Sequence, residues 1–180
     1  MPHLTTGRAL ETADRTATVT DPHSDKPVLV IGNSYRAFEV IPGHLDDAAR
    51  QAFTHGQCHA FARALSAATG WPAVALLTED CHGNDSMCLG GRGAHCPCRI
   101  GHLVCLRPDG AHVDINGAHQ PLQVPSCANA LSLPMTAELW SAIDTSPAWR
   151  EPNMPVAVSM VAPLLTSLIG DVPHRCEVRA

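Results

Sequence analysis

Residues 55–76 read HGQCHAFARALSAATGWPAVAL. Phe61, Ala64, Leu65 and Ala68 recur at helical spacing on one face, and Gly70 is suited to end the helix they define. The apolar run after Pro72 then reads as a buried strand. Cys58 therefore stands at the start of a helix, directly after Gly56-Gln57. That placement has a chemical consequence. A free thiol titrates at about 8.5, and only the thiolate is a nucleophile. A helix start lowers that value through its unpaired N–H groups and dipole. A neighbouring imidazole lowers it further by accepting the proton. The same N–H groups can hold a developing oxyanion. Packing in the core is the competing reading, because free cysteine is among the most buried residue types.

Working outward, PVLVIGNSYRAFEVI (27–41) reads as one or two strands around the turn signal Gly32-Asn33. HLDDAARQAF (44–53) has helical spacing through Leu45, Ala48, Ala49 and Ala52, with acidic residues in its first turn. HLVCLRPDGAHVDING (102–117) is the clearest hairpin, two apolar-alternating runs flanking Pro108-Asp109-Gly110. A helix follows near MTAELWSAI (135–143) with Thr136 as its cap, and MPVAVSMVAPLLTSLIG (154–170) is an apolar, buried element. A helix followed by several strands places the chain in the α+β class.

The chain of 180 residues is long enough for one domain with its own core. A net charge of -5 and only 4% aromatic residues leave neither a basic footprint nor a stacking platform for nucleic acid. The 154–170 stretch is too short for a bilayer and contains Pro163, so no membrane partner is expected. Residues 1–26 are polar, carry Asp, Glu and Arg throughout and lack the apolar region of a secretory signal. They read as a flexible tail ahead of a single domain over 27–180. A cytoplasmic location is expected, or export without a cleaved signal peptide.

A thiol nucleophile needs a base, and the base needs an orienter. His102 opens the hairpin directly after Gly101, and Asp114 and Asn116 lie on the returning strand toward a common face. His59 neighbours Cys58 and is expected to point away from it, as adjacent helical residues do. His55 and His112 are expected to face solvent, and Cys105 the core.

These segments resemble a known group. GQCHAFARALSAATGWPAVAL (56–76) is similar to the nucleophile helix and following strand of transglutaminase-like, papain-like-fold cysteine enzymes, and GHLVCLRPDGAHVDINGA (101–118) to their His strand, turn and Asp strand. The match spans under a quarter of the chain, with Cys, His and Asp in the family's order. Arylamine acetyltransferases share that order, but their Arg-Gly-Gly run before the cysteine is absent here. The resemblance implies a papain-like core in which the nucleophile helix packs on an antiparallel sheet. It also implies Cys58 as nucleophile, His102 as base and then acid, and Asp114 as orienter. A hairpin turning tightly at Asp109-Gly110 would set His102 opposite Gly117 and leave Asp114 on the other face, so Asn116 stands as an alternative orienter. The backbone N–H of Cys58 would form the oxyanion hole, with Gln51 or Gln57 as a side-chain donor.

Four of the eight cysteines, Cys81, Cys88, Cys96 and Cys98, crowd a glycine-rich insertion over residues 80–101. They are candidate ligands for a structural zinc, although Cys96-Pro97-Cys98 is not the two-spacer knuckle of common zinc folds. A redox-active thiol pair or an unliganded lid over the cleft are the other readings. Catalysis itself needs no cofactor. The sequence thus leads to a thiol-dependent acyl-transfer enzyme acting on a protein or peptide amide: a cysteine peptidase, an amidase or deamidase, or a transglutaminase. The alternative is an idle binding protein of the same fold with a zinc-stapled loop.

Overall fold

The structure is a computed structural model and describes residues 26–78, 97–120, 123–124 and 130–170. The tail expected over 1–26, apart from Lys26, lies outside these residues, as do Cys81, Cys88 and Cys96 of the insertion.

The chain begins with a hairpin of β1 (Val28–Ile31) and β2 (Ala37–Val40), paired antiparallel with Val28 opposite Val40. Helix α1 (Asp47–Thr54) follows and packs on β2. Asp46 caps it, its side chain accepting from the Ala49 N–H at 2.8 Å. The helix thus begins two residues after Leu45, where its apolar spacing starts, because Asp46 takes the cap position. Helix α2 (Cys58–Thr69) comes next and ends on Gly70 in the left-handed conformation, φ 73°. Then come β3 (Ala73–Leu77), β4 (Ile100–Leu106), β5 (His112–Asp114), β6 (Gly117–His119) and β7 (Leu131–Pro134). Two helices close the described chain: α3 (Ala137–Thr145), capped by Thr136, and α4 (Met154–Gly170).

Strands β3–β7 form one sheet in the order β6-β5-β4-β3-β7, every pair antiparallel. The class is α+β. Helix α2 packs against β4 on one side and α4 on another. Its sequence explains why it can sit between them. Ala60, Ala62 and Ala64 bring neighbours close, while Phe61 and Leu65 fill the core. Ala68, expected on the buried face, is exposed, because α2 has passed its partners by that turn. Helix α4 is the apolar C-terminal element, with Val156, Ala157, Met160 and Leu164 buried. Among the described residues no helix is long and apolar enough to cross a membrane.

Two irregularities position the site. The β4–β5 connection is longer than a tight two-residue turn: Cys105 pairs with Val113 and Leu106 with His112, leaving five residues outside the ladder. That shifts the register by one from the expected pairing. Extending it puts Asp114 beside Val104, with His102 as its diagonal neighbour on the same face. The second irregularity is in β4. Leu76 pairs with His102 but Leu77 pairs with Ile100, so Gly101 is an extra residue and forms a bulge. A bulge bends its strand and re-aims the next side chain, here His102.

Candidate active site

Cys58 opens α2 and is 5% exposed, at the wall of a cavity of about 320 Å³ that Asn33, Gly56, Cys98, Gly101 and Trp149 also line. Residue 56 must be glycine. Its φ is 115°, and a Cβ there would lie 2.4 Å from the Asn33 amide nitrogen. Gln57, at the helix cap position, makes no side-chain cap hydrogen bond, so the first-turn N–H groups beside the thiol are left uncapped.

His102 is fully buried, and its Nε2 donates to Asp114 Oδ2 at 3.0 Å. Asp114 is itself 2% exposed. Its other oxygen accepts from Nε2 of His119 at 3.0 Å and from the Asn116 N–H at 2.8 Å. Because Nε2 of His102 is held by the carboxylate, Nδ1 is the ring atom left to exchange a proton. It has no completed hydrogen bond among the described residues. The Cys58 thiol nevertheless lies close enough for the two groups to shift each other's ionisation.

The electrostatics make that pair an ion pair. Burial alone would push the thiol up, but the imidazoles of His102 and His59 beside it outweigh that and bring it down to about 6. Burial alone would push His102 down. Its hydrogen bond to Asp114 and the thiolate beside it instead raise it to about 10. Asp114 would also be raised by burial, yet the two histidines and the Asn116 amide hold it well below the usual carboxylate range. Cys105 is the contrast. Its thiol donates to the Ala62 carbonyl at 3.3 Å, and burial, offset only in part by the Ser66 backbone, pushes it up to about 12.

The structure brings together Cys58, His102 and Asp114. It gives Asn116 a different place: the backbone N–H braces Asp114, and the side chain donates to Thr54 Oγ1 at 3.1 Å. The amide cannot orient the imidazole while Asp114 occupies Nε2. Neither glutamine is placed as an oxyanion donor, since neither lines the cavity. Gln57 donates to the carbonyls of Ile31 (2.8 Å) and Glu151 (3.1 Å) and accepts from the Asn153 N–H, so its amide is engaged on both ends. Gln51 is on the exposed face of α1, accepting from Arg36 at 3.0 Å. Of the four candidate zinc ligands only Cys98 is described, half-buried at the cavity wall. Among the described residues no group of three His, Cys, Asp or Glu side chains could hold a metal.

Two expectations about histidines are corrected. His112 is buried rather than solvent-facing, because its strand is covered on both faces. His59 does not point away from Cys58. It is fully buried, its Nε2 donates to the Arg150 carbonyl at 3.0 Å, and its ring meets Trp149 edge-on at 5.2 Å. A carbonyl only accepts, so Nε2 carries a proton, and the ring beside the thiol lowers it. His119 is a further contributor that spacing did not reveal. It lies on β6, which appears in the sequence as the short Gly117-Ala118-His119 after Asn116. The chain turns back through Ile115-Asn116 into Gly117, at φ 118°, and so brings His119 back beside Asp114.

No protein-family model, curated protein or solved structure matches this chain.

Proposed function

We propose that the chain is a thiol-dependent acyl-transfer enzyme on a papain-like core, acting on an amide of a protein or peptide. One observation carries the reading: a thiol at an uncapped helix start, opening on a cavity, is backed by an imidazole that a buried carboxylate holds by its far nitrogen. A structural cysteine needs none of these. Cys105, in the same core, has none of them and is held fully protonated.

In the reaction the Cys58 thiolate bonds the carbonyl carbon, and the carbonyl oxygen takes up the displaced electron pair. First-turn N–H groups of α2 stabilise that oxygen. His102 gives its Nδ1 proton to the leaving amine as the carbon–nitrogen bond breaks, leaving a thioester on Cys58. His102 then accepts a proton from water or an amine as it attacks the thioester, and the thiol is restored. Water as acceptor gives peptidase or deamidase chemistry; an amine gives transglutaminase chemistry. The groups required are the chain's own.

The test is labelling with a peptide carrying an electrophilic ketone, comparing wild type with Cys58→Ala and His102→Ala. Fast labelling of wild type that both variants lose supports the proposal. Equal slow labelling of all three proteins supports an idle binding protein and ends it. Supplying a fluorescent primary amine with a glutamine peptide then separates transamidation from hydrolysis by whether the amine is incorporated.

A further inference from the structure

The oxyanion that forms during attack needs more than one donor, and neither candidate glutamine supplies it: the Gln57 amide is engaged elsewhere and Gln51 does not line the cavity. We infer that Asn33 is a catalytic residue whose side-chain amide completes the oxyanion hole facing Cys58, an inference that rests on the acyl-transfer reading. Asn33 supplies the one carboxamide on the cavity wall among the described residues, and that carboxamide makes no hydrogen bond there.

The β1–β2 turn is built to keep it in place. The Asn33 N–H donates to the His55 carbonyl at 2.9 Å, fastening the turn to the segment before the nucleophile. Its side-chain oxygen would lie 2.7 Å from a Cβ on Gly56, so the carboxamide rests over the residue two before Cys58. The turn closes with the Arg36 N–H on the Asn33 carbonyl at 3.1 Å, with Ser34 and Tyr35 between them at φ 53° and 57°. Both central residues are in the left-handed region that Gly and Asn ordinarily fill, a cost of about 1–2 kcal/mol each. The chain keeps this unfavourable pair in a turn that faces the cavity, which is where backbone strain accumulates in functional sites. Tyr35 is anchored in turn, its ring under the Arg150 guanidinium at 4.1 Å.

Two reagents separate oxyanion stabilisation from thiol activation. With p-nitrophenyl acetate, the Cys58 sulfur bonds the carbonyl carbon through a tetrahedral oxyanion. p-Nitrophenolate then leaves, and water later releases acetate from the thioester. Iodoacetamide alkylates the same sulfur by direct displacement of iodide and forms no oxyanion. Wild type, Asn33→Ala, the isosteric Asn33→Asp and Trp149→Phe are compared at pH 7. Acylation is expected to fall about 10²–10³-fold in Asn33→Ala. It should fall further in Asn33→Asp, where a carboxylate opposes the developing charge. Alkylation should stay within about two-fold in both Asn33 variants. Unchanged acylation in Asn33→Ala overturns the inference, and so do equal falls in acylation and alkylation. A loss confined to Trp149→Phe overturns it by assigning the donor to the indole. If wild-type Cys58 alkylates no faster than Cys105, the acyl-transfer reading itself fails, which is a distinct outcome.

Discussion

Nε2 of His102 lies 3.0 Å from Oδ2 of Asp114, with both side chains buried. The carboxylate thereby decides which ring nitrogen carries the fixed proton and which one meets the thiol. It also sets where the pair titrates, and the predictions below follow from that.

The thiolate–imidazolium pair exists between the two titrations, at about 6 for Cys58 and about 10 for His102. Iodoacetamide alkylation of Cys58 is expected to rise as pH passes through about 6 and then to stay level. Amide turnover should rise on the same limb but fall again near 10, where His102 loses the proton that the leaving amine needs. Mass spectrometry of modified peptides from pH 4 to 11 reads the first profile, and kcat/KM the second. A Cys58 limb near an ordinary thiol value would contradict the ion pair.

Asp114→Asn should move the descending limb to lower pH, because the charge that raises His102 is gone. Turnover should fall by at least tenfold, as the amide cannot accept from both histidines and the Asn116 N–H. Asp114→Ala removes one partner of a buried pair and is expected to cost about 3–5 kcal/mol in urea unfolding. The sign with pH is fixed. Asp114 is lowered on folding, so its contribution is present above 3.8 and is lost as pH falls through its lower folded value. His102 is raised, so its contribution is present below 6.5 and is lost as pH rises toward about 10.

His59→Phe keeps a ring against Trp149 but removes the second imidazole beside the thiol. The Cys58 limb should shift to higher pH while the His102 limb holds, since His59 is not among the groups that raise His102. An unmoved Cys58 limb would make His59 a packing residue. Alkylation rates across pH decide between the two.

Gly56→Ala should destabilise the fold by more than about 2 kcal/mol, since the left-handed φ and the contact with the Asn33 backbone act together. Gly70→Ala is the control. Its φ is also left-handed, but nothing lies within 4 Å of the added Cβ, so its loss should be smaller. Thermal unfolding of the two variants gives the comparison.

Much of the frame was legible in the linear chain, because helices and hairpins declare themselves over short spans. The apolar spacing from Phe61 to Leu65, with Gly70 after it, set α2 and put Cys58 at its start. Thr136 marked the cap of α3, and the two apolar runs around Pro108-Asp109-Gly110 marked β4 and β5. The resemblance put Asp114 ahead of Asn116 as orienter, but the register that seats it beside His102 was out of reach. One residue of loop length reverses strand parity, and composition does not fix whether that turn holds two residues or five. His59 was misread for a related reason: helical spacing gives the angle between neighbours, but not what a third element, here the 149–150 segment, does with the second ring.

The sequence by itself determined that this is an α+β chain with a cysteine at the N-terminus of a helix and a histidine leading a hairpin, since these depend on periodicity and turn chemistry between near neighbours. Only the tertiary structure decided that Asp114 rather than Asn116 holds His102, that His59 and His119 join the charge network, and that Gln57 ties segments together instead of serving the oxyanion. Those outcomes depend on register, on a single bulged glycine and on burial, which couple residues 5 to 96 positions apart and which local spacing does not fix.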